Sequence, residues 1–112
     1  MPLYMGSFSY KPEVWAGLIR SPENREETVR RILEEAGCKL RGLWYAFGEG
    51  DGFALIEAPD NRKAAGLSIA ITASGAFRKF ETTVLMTQDE LLEALETAAE
   101  VHYVAPAEAV HA

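Results

Sequence analysis

The chain has 112 residues, of which 48% are hydrophobic and 25% are charged, and these values are typical of one globular domain. Its formal net charge of −6 argues against nucleic acid as a partner, because phosphate binding needs a basic surface. No apolar run reaches the roughly 20 residues that span a bilayer. The only cysteine, Cys38, cannot form an intrachain disulfide, and we expect it to be a small buried hydrophobe. Without a recognisable signal peptide, the sequence predicts a cytoplasmic protein that binds neither nucleic acid nor a membrane.

Alternation and capping signals predict a strand and a helix in the first third of the chain. Leu3–Tyr10 alternates as a strand does, and Glu13–Arg20 predicts a short helical turn or ordered loop. Ser21 and Pro22 then predict the start of a helix, because serine caps well and proline suits the first helical position. Gly37 predicts the end of that helix.

A hairpin is predicted next, with arms at Leu40–Phe47 and Phe53–Ala58. Glycine tolerates the positive φ angles of tight turns, so the glycine-rich stretch Gly48–Gly52 is interpreted as the hairpin turn. A phosphate-binding loop is the weaker alternative, because this turn leads into a strand and not into a helix N-terminus. Both faces of the second arm are apolar apart from Glu57. Helices of so short a chain can cover only one face, so we expect a second copy to cover the other.

The second half of the chain predicts a helix, a strand and a further helix. Asp60 is the expected N-cap of a helix that ends at Gly75 and is apolar on most sides, which predicts deep burial. Arg78–Met86 alternates as a fourth strand. Thr87 and Glu90 fit a capping box that starts the last helix, along which a leucine and alanine stripe runs.

The predicted order is β-α-β-β-α-β followed by an extra C-terminal helix. This is the ferredoxin-like α+β plan, an antiparallel sheet with helices on one face. We place a single domain at residues 1–101 and a C-terminal tail at 102–112. The tail is expected to be loosely packed or to reach a neighbouring molecule.

Aromatic side chains are the best candidates for a small-molecule site, because they combine apolar walls with polar tips. Packing in the core or in a dimer interface needs the same residues, so both interpretations stay open. The candidate site consists of four aromatic and two charged residues: Tyr10, Trp15, Arg41, Trp44, Phe47 and Glu57.

Glu57 has two interpretations, because it lies within an otherwise apolar strand. It is either a buried acid with a raised pKa or the partner of a cation such as Arg41 or Lys79. His102 and His111 have no second ligand at metal spacing, so we expect no metal site. No motif predicts a cofactor.

Several segments resemble the GYD domain family. They are Phe8-Ser-Tyr-Lys-Pro-Glu, Trp15-Ala-Gly-Leu, Leu40-Arg-Gly-Leu-Trp-Tyr-Ala-Phe-Gly-Glu-Gly-Asp and Glu57-Ala-Pro-Asp. The resemblance covers Leu3–Leu85, so the terminal helix and tail lie outside it. In the family, Gly-Tyr-Asp or Gly-Glu-Tyr-Asp marks the hairpin turn. Here Gly48, Glu49 and Asp51 match, and Gly50 stands at the place of the tyrosine.

The resemblance implies a small bacterial or archaeal domain of uncharacterised function. It also implies a dimeric α/β barrel, in which two ferredoxin-like units pack sheet to sheet. Three hypotheses for the function follow. The chain is a small-molecule-binding or accessory protein that forms homodimers or larger homo-oligomers, a cofactor-free monooxygenase or isomerase, or a structural or regulatory oligomer without a ligand. The enzyme would need an acid or base, for which Glu57, Tyr10 and Arg41 are the candidates.

Overall fold

The computed structural model of the protein describes residues 1–107. Within them a sheet is built from four strands: β1 (Leu3–Tyr10), β2 (Lys39–Tyr45), β3 (Gly52–Glu57) and β4 (Phe77–Leu85). Four helices accompany the strands: α1 (Pro12–Arg20), α2 (Arg25–Glu35), α3 (Asn61–Ala73) and α4 (Gln88–Glu100). None of these helices is long and apolar enough to cross a membrane. The last part of the predicted tail, residues 108–112, lies outside the described residues.

The strands are arranged in the order β2-β3-β1-β4, and every neighbouring pair is antiparallel. The first strand of the chain is therefore central, and β2 and β4 form the two edges. This order confirms the predicted ferredoxin-like α+β architecture.

Helices cover one face of the sheet, where Leu33 of α2 and Leu67 of α3 pack on Tyr4, Leu40 and Ile56 from three strands. The opposite face carries no helix in the described part of the chain. We call it the open face, and its apolar side chains are those that the strand register places away from the core: Leu3, Met5, Trp44, Phe53, Leu55 and Leu85. Trp44 and Phe53 are 54% and 37% exposed, so this face carries an apolar patch in contact with water. The same register places polar residues on this face as well: Ser7, Lys39, Glu57, Glu81 and Thr83.

A bulge in β2 changes the alternation that the sequence predicted for the first hairpin arm. Leu40 is paired with Ile56 and the next paired residue is Gly42, so Arg41 is the extra residue. As a result Leu40 points into the core, whereas Trp44 lies on the open face. Strict alternation along the arm Leu40–Phe47 would place Leu40 and Trp44 on one face, and it fails here because period-2 alternation does not anticipate an inserted residue.

The helix ends are set by side-chain caps, and two of the three predicted N-caps are confirmed. Asp60 accepts a hydrogen bond from the Lys63 N–H, and Thr87 forms a capping box with Glu90. The cap of α2 is Asn24 and not Ser21. Ser21 instead ends α1, because the predicted helical turn is a full nine-residue helix.

The burial predicted for α3 was wrong, because only Ala64 and Leu67 of this helix are buried. Ile69 is 68% exposed. The helix packs on β4 along one side, and in the described residues no element covers its outer side. Its alanines make the helix apolar on most sides, but their side chains are too small to form a second packed layer on its outer side.

The last helix projects from the domain. No residue of α4 is buried, and α4 does not pack on the sheet as α2 and α3 do. The described chain therefore measures 59 × 32 × 22 Å, and its radius of gyration of 18.4 Å exceeds the ~13 Å of a compact domain of this length.

Position 52 needs a glycine because a side chain would not fit there, and not because of its backbone conformation. The positive-φ residues of the described chain are Gly37 and Gly75, at the ends of α2 and α3, and not the turn glycines. A Cβ on Gly52 would lie 2.3 Å from the ring of Phe8, which is 5% exposed. Gly52 thus lets β3 approach a packed aromatic side chain.

We expect Gly52→Ala to destabilise the fold by about 1–3 kcal/mol, because the ring of Phe8 would have to move away from the new Cβ and so disturb its packing against Tyr10, Tyr45 and Phe77. Gly48→Ala is the matched control, since a Cβ there meets no atom within 4 Å. Urea unfolding of both variants measures the difference. Equal stabilities for the two variants would contradict this account of Gly52.

Candidate functional site

A cavity of about 610 Å³ lies between the helix-covered face of the sheet and the helices α1, α2 and α3. Its volume falls in the range of roughly 300–1,000 Å³ that small-molecule sites occupy. It exists because α2 packs on β2 and α3 packs on β4, which leaves the central strands covered only by side chains and by α1. Apolar groups from these strands and helices form most of its wall, including Phe8, Val29, Leu43, Ile71, Phe77 and Phe80.

An aromatic cluster closes one end of this cavity. Tyr10 stands at its centre, with ring centroids 5.2 Å from both Trp15 and Phe77. Phe8 and Tyr45 are edge-on to each other at 5.9 Å. Such tilted and edge-to-face pairs contribute beyond the area that they bury, so the cluster is a rigid wall.

Asp51 in the hairpin turn ties three elements together at this wall. Its Oδ2 atom accepts a hydrogen bond from the Tyr10 N–H at 2.9 Å and another from Trp15 Nε1 at 3.3 Å. Its own N–H donates to the Phe8 carbonyl at 2.8 Å. One carboxylate therefore holds α1, through Trp15, against the end of β1.

Polar groups are concentrated at the mouth of the cavity. Arg25 Nη1 lies 3.4 Å from Glu23 Oε2, and the side chains of these two residues are 30% and 50% exposed. The hydroxyl groups of Tyr10 and Tyr45 form a hydrogen bond of 3.2 Å beside them. Partial burial raises the pKa of Tyr45 above its usual value, and the hydrogen bond with Tyr10 raises it further. The phenol of Tyr45 is therefore a neutral hydrogen-bonding group at physiological pH.

The six residues predicted as a site do not lie in one place. Tyr10 lines the cavity, and Trp15 packs behind it in the aromatic cluster. Trp44 lies on the open face, and Phe47 is fully exposed in the turn after β2.

The remaining two residues form an ion pair, as one of the two interpretations of Glu57 predicted. Arg41 Nε lies 3.4 Å from Glu57 Oε1, and Glu57 is paired with Leu3 on the open-face side of the sheet. This pair is therefore separated from the cavity by the sheet itself.

Sequence reasoning missed Arg25 and Glu23 in the cavity lining, and the six residues predicted as a site did not include Tyr45. One signal for Arg25 was present. It is the first residue of α2, where the helix dipole favours acids over cations, so a cation there is unfavourable for the helix alone. Alternation alone could not place Tyr45 on the same face as Leu40, because that placement depends on the bulge in β2.

Two further predictions concern cysteine and metal ligands. Cys38 is buried as predicted, and burial raises the pKa of its thiol. Among residues 1–107, no group of three His, Cys, Asp or Glu side chains is arranged to hold a metal ion.

Solved structures with the same architecture were found by comparison of the fold. The chain is similar to MtbAldR, with a TM-score of 0.58 and 18% sequence identity over 78% of this chain. It spans 54% of the length of MtbAldR. It is also similar to FFRP-DM1, with a TM-score of 0.50 and 13% identity over 77% of this chain and all of the other. At these identities the likeness concerns the fold alone, and it defines the class as a ferredoxin-like α+β protein.

The family follows from the sequence profile of the GYD domain, which matches residues 4–95. The chain belongs to the GYD domain family, as its resemblance indicated. The match extends into the first two turns of α4, beyond the boundary at Leu85 that the quoted segments suggested. A search of curated protein sequences found no match.

The position of the family tyrosine, occupied here by Gly50, faces away from the cavity. A Cβ on Gly50 would lie 3.5 Å from Ser7 Oγ and 3.8 Å from the Phe53 ring, at ordinary contact distances. Ser7 and Phe53 are register partners on the open-face side of the sheet. A side chain at position 50 would therefore begin beside the open face.

We expect Asp51→Ala to destabilise the fold by about 1–3 kcal/mol, because the N–H of buried Tyr10 would lose its acceptor. Trp15 would also lose its hydrogen bond to Asp51 and become more exposed to water, so its fluorescence emission should move to longer wavelength. Glu49→Ala, an exposed acid two residues away, should change neither quantity. Urea unfolding followed by tryptophan emission tests this, and a stable Asp51→Ala variant with wild-type emission would refute the role of Asp51.

Proposed function

We propose that this GYD-domain protein binds a small molecule in the 610 Å³ cavity, as a binding or accessory protein. The observation that supports this is the cavity itself, which is lined mostly by apolar side chains and has Arg25 and Glu23 as the charged residues of its lining. Tyr10 is the one predicted site residue that contributes to its lining, and Trp15 supports Tyr10 from behind. Arg41, Trp44, Phe47 and Glu57 have no part in this proposal.

The ligand is proposed to have an apolar body and one carboxylate or comparable acceptor group. The walls match the body, and the guanidinium of Arg25 matches the acceptor group. Glu23 contacts one nitrogen of Arg25, but a guanidinium has five N–H donors, so others are available for a ligand. The hydroxyl groups of Tyr10 and Tyr45 lie close enough to the same mouth to add a neutral donor.

Binding is favoured over acid–base catalysis by the position of the candidate groups. Glu57 is paired with Arg41 across the sheet from the cavity. Tyr10 lines the cavity, and its hydroxyl is bonded to Tyr45, whose raised pKa keeps the phenol protonated near pH 7. The protonated phenol of Tyr45 can donate a hydrogen bond and is a poor general base.

The test compares straight-chain carboxylates of about eight to twelve carbons with the alcohols of matched length. Trp44→Phe removes the tryptophan of the open face, so that emission then reports on Trp15 at the cavity wall. Acids should bind about tenfold more tightly than the matched alcohols, and Arg25→Gln should remove this preference.

Arg20→Gln is the control, because Arg20 lies at the end of α1 and outside the cavity lining. It should leave the preference for acids unchanged. Equal affinities for acids and alcohols would reject Arg25 as the anchor. If neither series changes Trp15 emission and native mass spectrometry finds no bound metabolite, the binding function itself is wrong.

We further propose that two copies pair through their open faces, as a homodimer of the α/β-barrel type. Trp44 and Phe53 form a contiguous exposed pair, since they are register partners on neighbouring strands. Burying such a face is favourable by about 25 cal/mol for each Å² removed from water. A dimer buries this face without any further domain.

Sedimentation velocity should therefore detect a dimer, and Phe53→Glu should shift it toward monomer, because a charge would be buried at its centre. Ile69→Glu places the same charge on the outer side of α3, where Ile69 is already exposed, and should leave the dimer intact. A wild-type monomer at all concentrations, or a Phe53→Glu dimer of wild-type stability, would count against pairing through this face.

A further inference from the structure

The projecting helix α4 is amphipathic, with two sharply separated sides. At 100° per residue its leucines and alanines fall within one arc: Leu91, Leu92, Ala94, Leu95, Ala98 and Ala99. The acidic residues and Thr97 occupy the opposite arc. Leu92 and Leu95 are 52% and 54% exposed, so the apolar side has no partner in the described chain.

Charge is distributed unequally between this helix and the rest of the chain. Residues 1–85 contain eleven acidic and eleven basic side chains, whereas residues 86–112 contain six acidic and no basic ones. The whole net charge of −6 therefore belongs to the C-terminal part. Two α4 helices would repel each other because both are acidic. All lysine and arginine residues of the protein lie within residues 1–85, so only that part of a chain can attract α4.

Strand register shows where α4 leaves the sheet. Leu85, the last residue of β4, is paired with Leu3 of β1. Leu3 is also paired with Glu57 of β3, and Glu57 is paired with Lys39 of β2. These residues form one row across the end of the sheet. The start of the edge strand β2 and the origin of α4 thus lie at the same end, on opposite edges.

A basic hollow of about 500 Å³ lies beside the β2 end of that row. Its lining includes three cations, Arg30, Lys39 and Arg41, and one acid, Glu34, so cations outnumber acids there. Arg30 is bonded to Glu26 and to the Leu40 carbonyl, and Arg41 is paired with Glu57, yet the side chains of Arg30 and Arg41 are still 41% and 56% exposed.

We infer that α4 is an exchanged arm, which packs on a second copy of this chain beside the basic hollow at the start of β2. The inference rests on the proposed pairing of open faces. A two-fold axis parallel to the strands brings the β4 edge of each copy beside the β2 edge of the other, at the same end of the sheet. Each acidic α4 then begins next to the three cations of the partner copy.

The area needed for a stable dimer supports the same arrangement. Four strands of six to nine residues, about 4.8 Å apart and on average about 25 Å long, give the open face a footprint of about 500 Å². A standard interface buries about 800 Å² on each partner, which is more than that footprint. The 13 residues of α4 form a rod about 20 Å long whose apolar side supplies much of the remainder.

The first test compares two variants that add the same charge to opposite sides of α4. Leu95→Glu should weaken the dimer about tenfold or more, because it places a carboxylate in the apolar contact. Thr97→Glu should leave the dissociation constant near its wild-type value. Sedimentation velocity over a dilution series measures both, and equal effects of the two substitutions would overturn the inference.

The second test asks whether the contact is made between copies. One variant reverses charges on the arm (Glu93→Lys with Glu96→Lys), and the other reverses them at the hollow (Lys39→Glu with Arg41→Glu). Each variant alone should associate weakly, whereas an equimolar mixture should form a mixed dimer, since both arm contacts are then between opposite charges. Failure of the mixture to dimerise would overturn the docking site at the hollow.

The outcomes also separate this inference from the proposals on which it stands. If Phe53→Glu dissociates the dimer and Leu95→Glu does not, the open faces pair and the exchanged arm is wrong. Ligand binding by Trp15 emission is measured separately and does not depend on α4. Circular dichroism of each arm variant verifies that α4 is still helical.

Discussion

The one-sided covering of the sheet is the constraint on which the rest of this structure depends. A four-stranded antiparallel sheet has two faces, and α2 and α3 pack on the same one. The core consequently forms between the helices and β1, β2 and β3, while Trp44 and Phe53 remain in contact with water on the other side. Since apolar area in water is costly, the proposed pairing of two copies would remove this exposed patch from water.

The cavity has a related origin. Each of the two long helices packs on an edge strand, α2 on β2 and α3 on β4, so the middle of the sheet has no helix directly over it. Aromatic side chains and the short helix α1 enclose that space without filling it. Asp51 holds α1 in position through Trp15, which explains how a turn on the far side of the hairpin contributes to the cavity wall. Cavity and open face therefore lie on opposite sides of the same sheet.

Two proposals follow from these two sides, and they use different residues. The cavity, with Arg25 and the Tyr10–Tyr45 pair at its mouth, suits an apolar acid. The open face, together with α4, suits a second copy of the chain. A ligand site on the helix side would remain accessible in such a dimer, because pairing involves the other face. The family tyrosine position at Gly50 lies beside the open face, which explains how the chain can lack that side chain without altering the cavity.

Local sequence signals predicted most of the secondary structure. Leu3–Tyr10 was predicted with its observed bounds, and the caps at Asp60 and Thr87 were predicted because capping depends on residues within one turn. Where a prediction failed, a non-local factor decided. Deep burial of α3 was expected from its composition, but burial depends on what packs against a helix, and its outer side has no cover in the described residues.

The candidate site was predicted only in part, for the same physical reason. Residue type alone identified Tyr10 and Trp15 as aromatic candidates, and it equally identified Trp44 and Phe47, which lie elsewhere. Alternation places the neighbours Trp44 and Tyr45 on opposite faces, but the inserted residue in β2 decides which of the two shares a face with Leu40, and alternation does not predict that insertion.

By itself, the sequence determined the element types, their caps, the ferredoxin-like order and the family, because propensity, capping and hydrophobic periodicity act over a few neighbouring residues. Only the tertiary structure decided which aromatic residues meet, that Arg25 lines a cavity, and that α4 projects from the domain without contacting another element closely within residues 1–107. These depend on strand register, on helix spacing and on contacts between residues distant in the chain. Tyr10 and Tyr45, which are 35 positions apart, are brought together by such register alone.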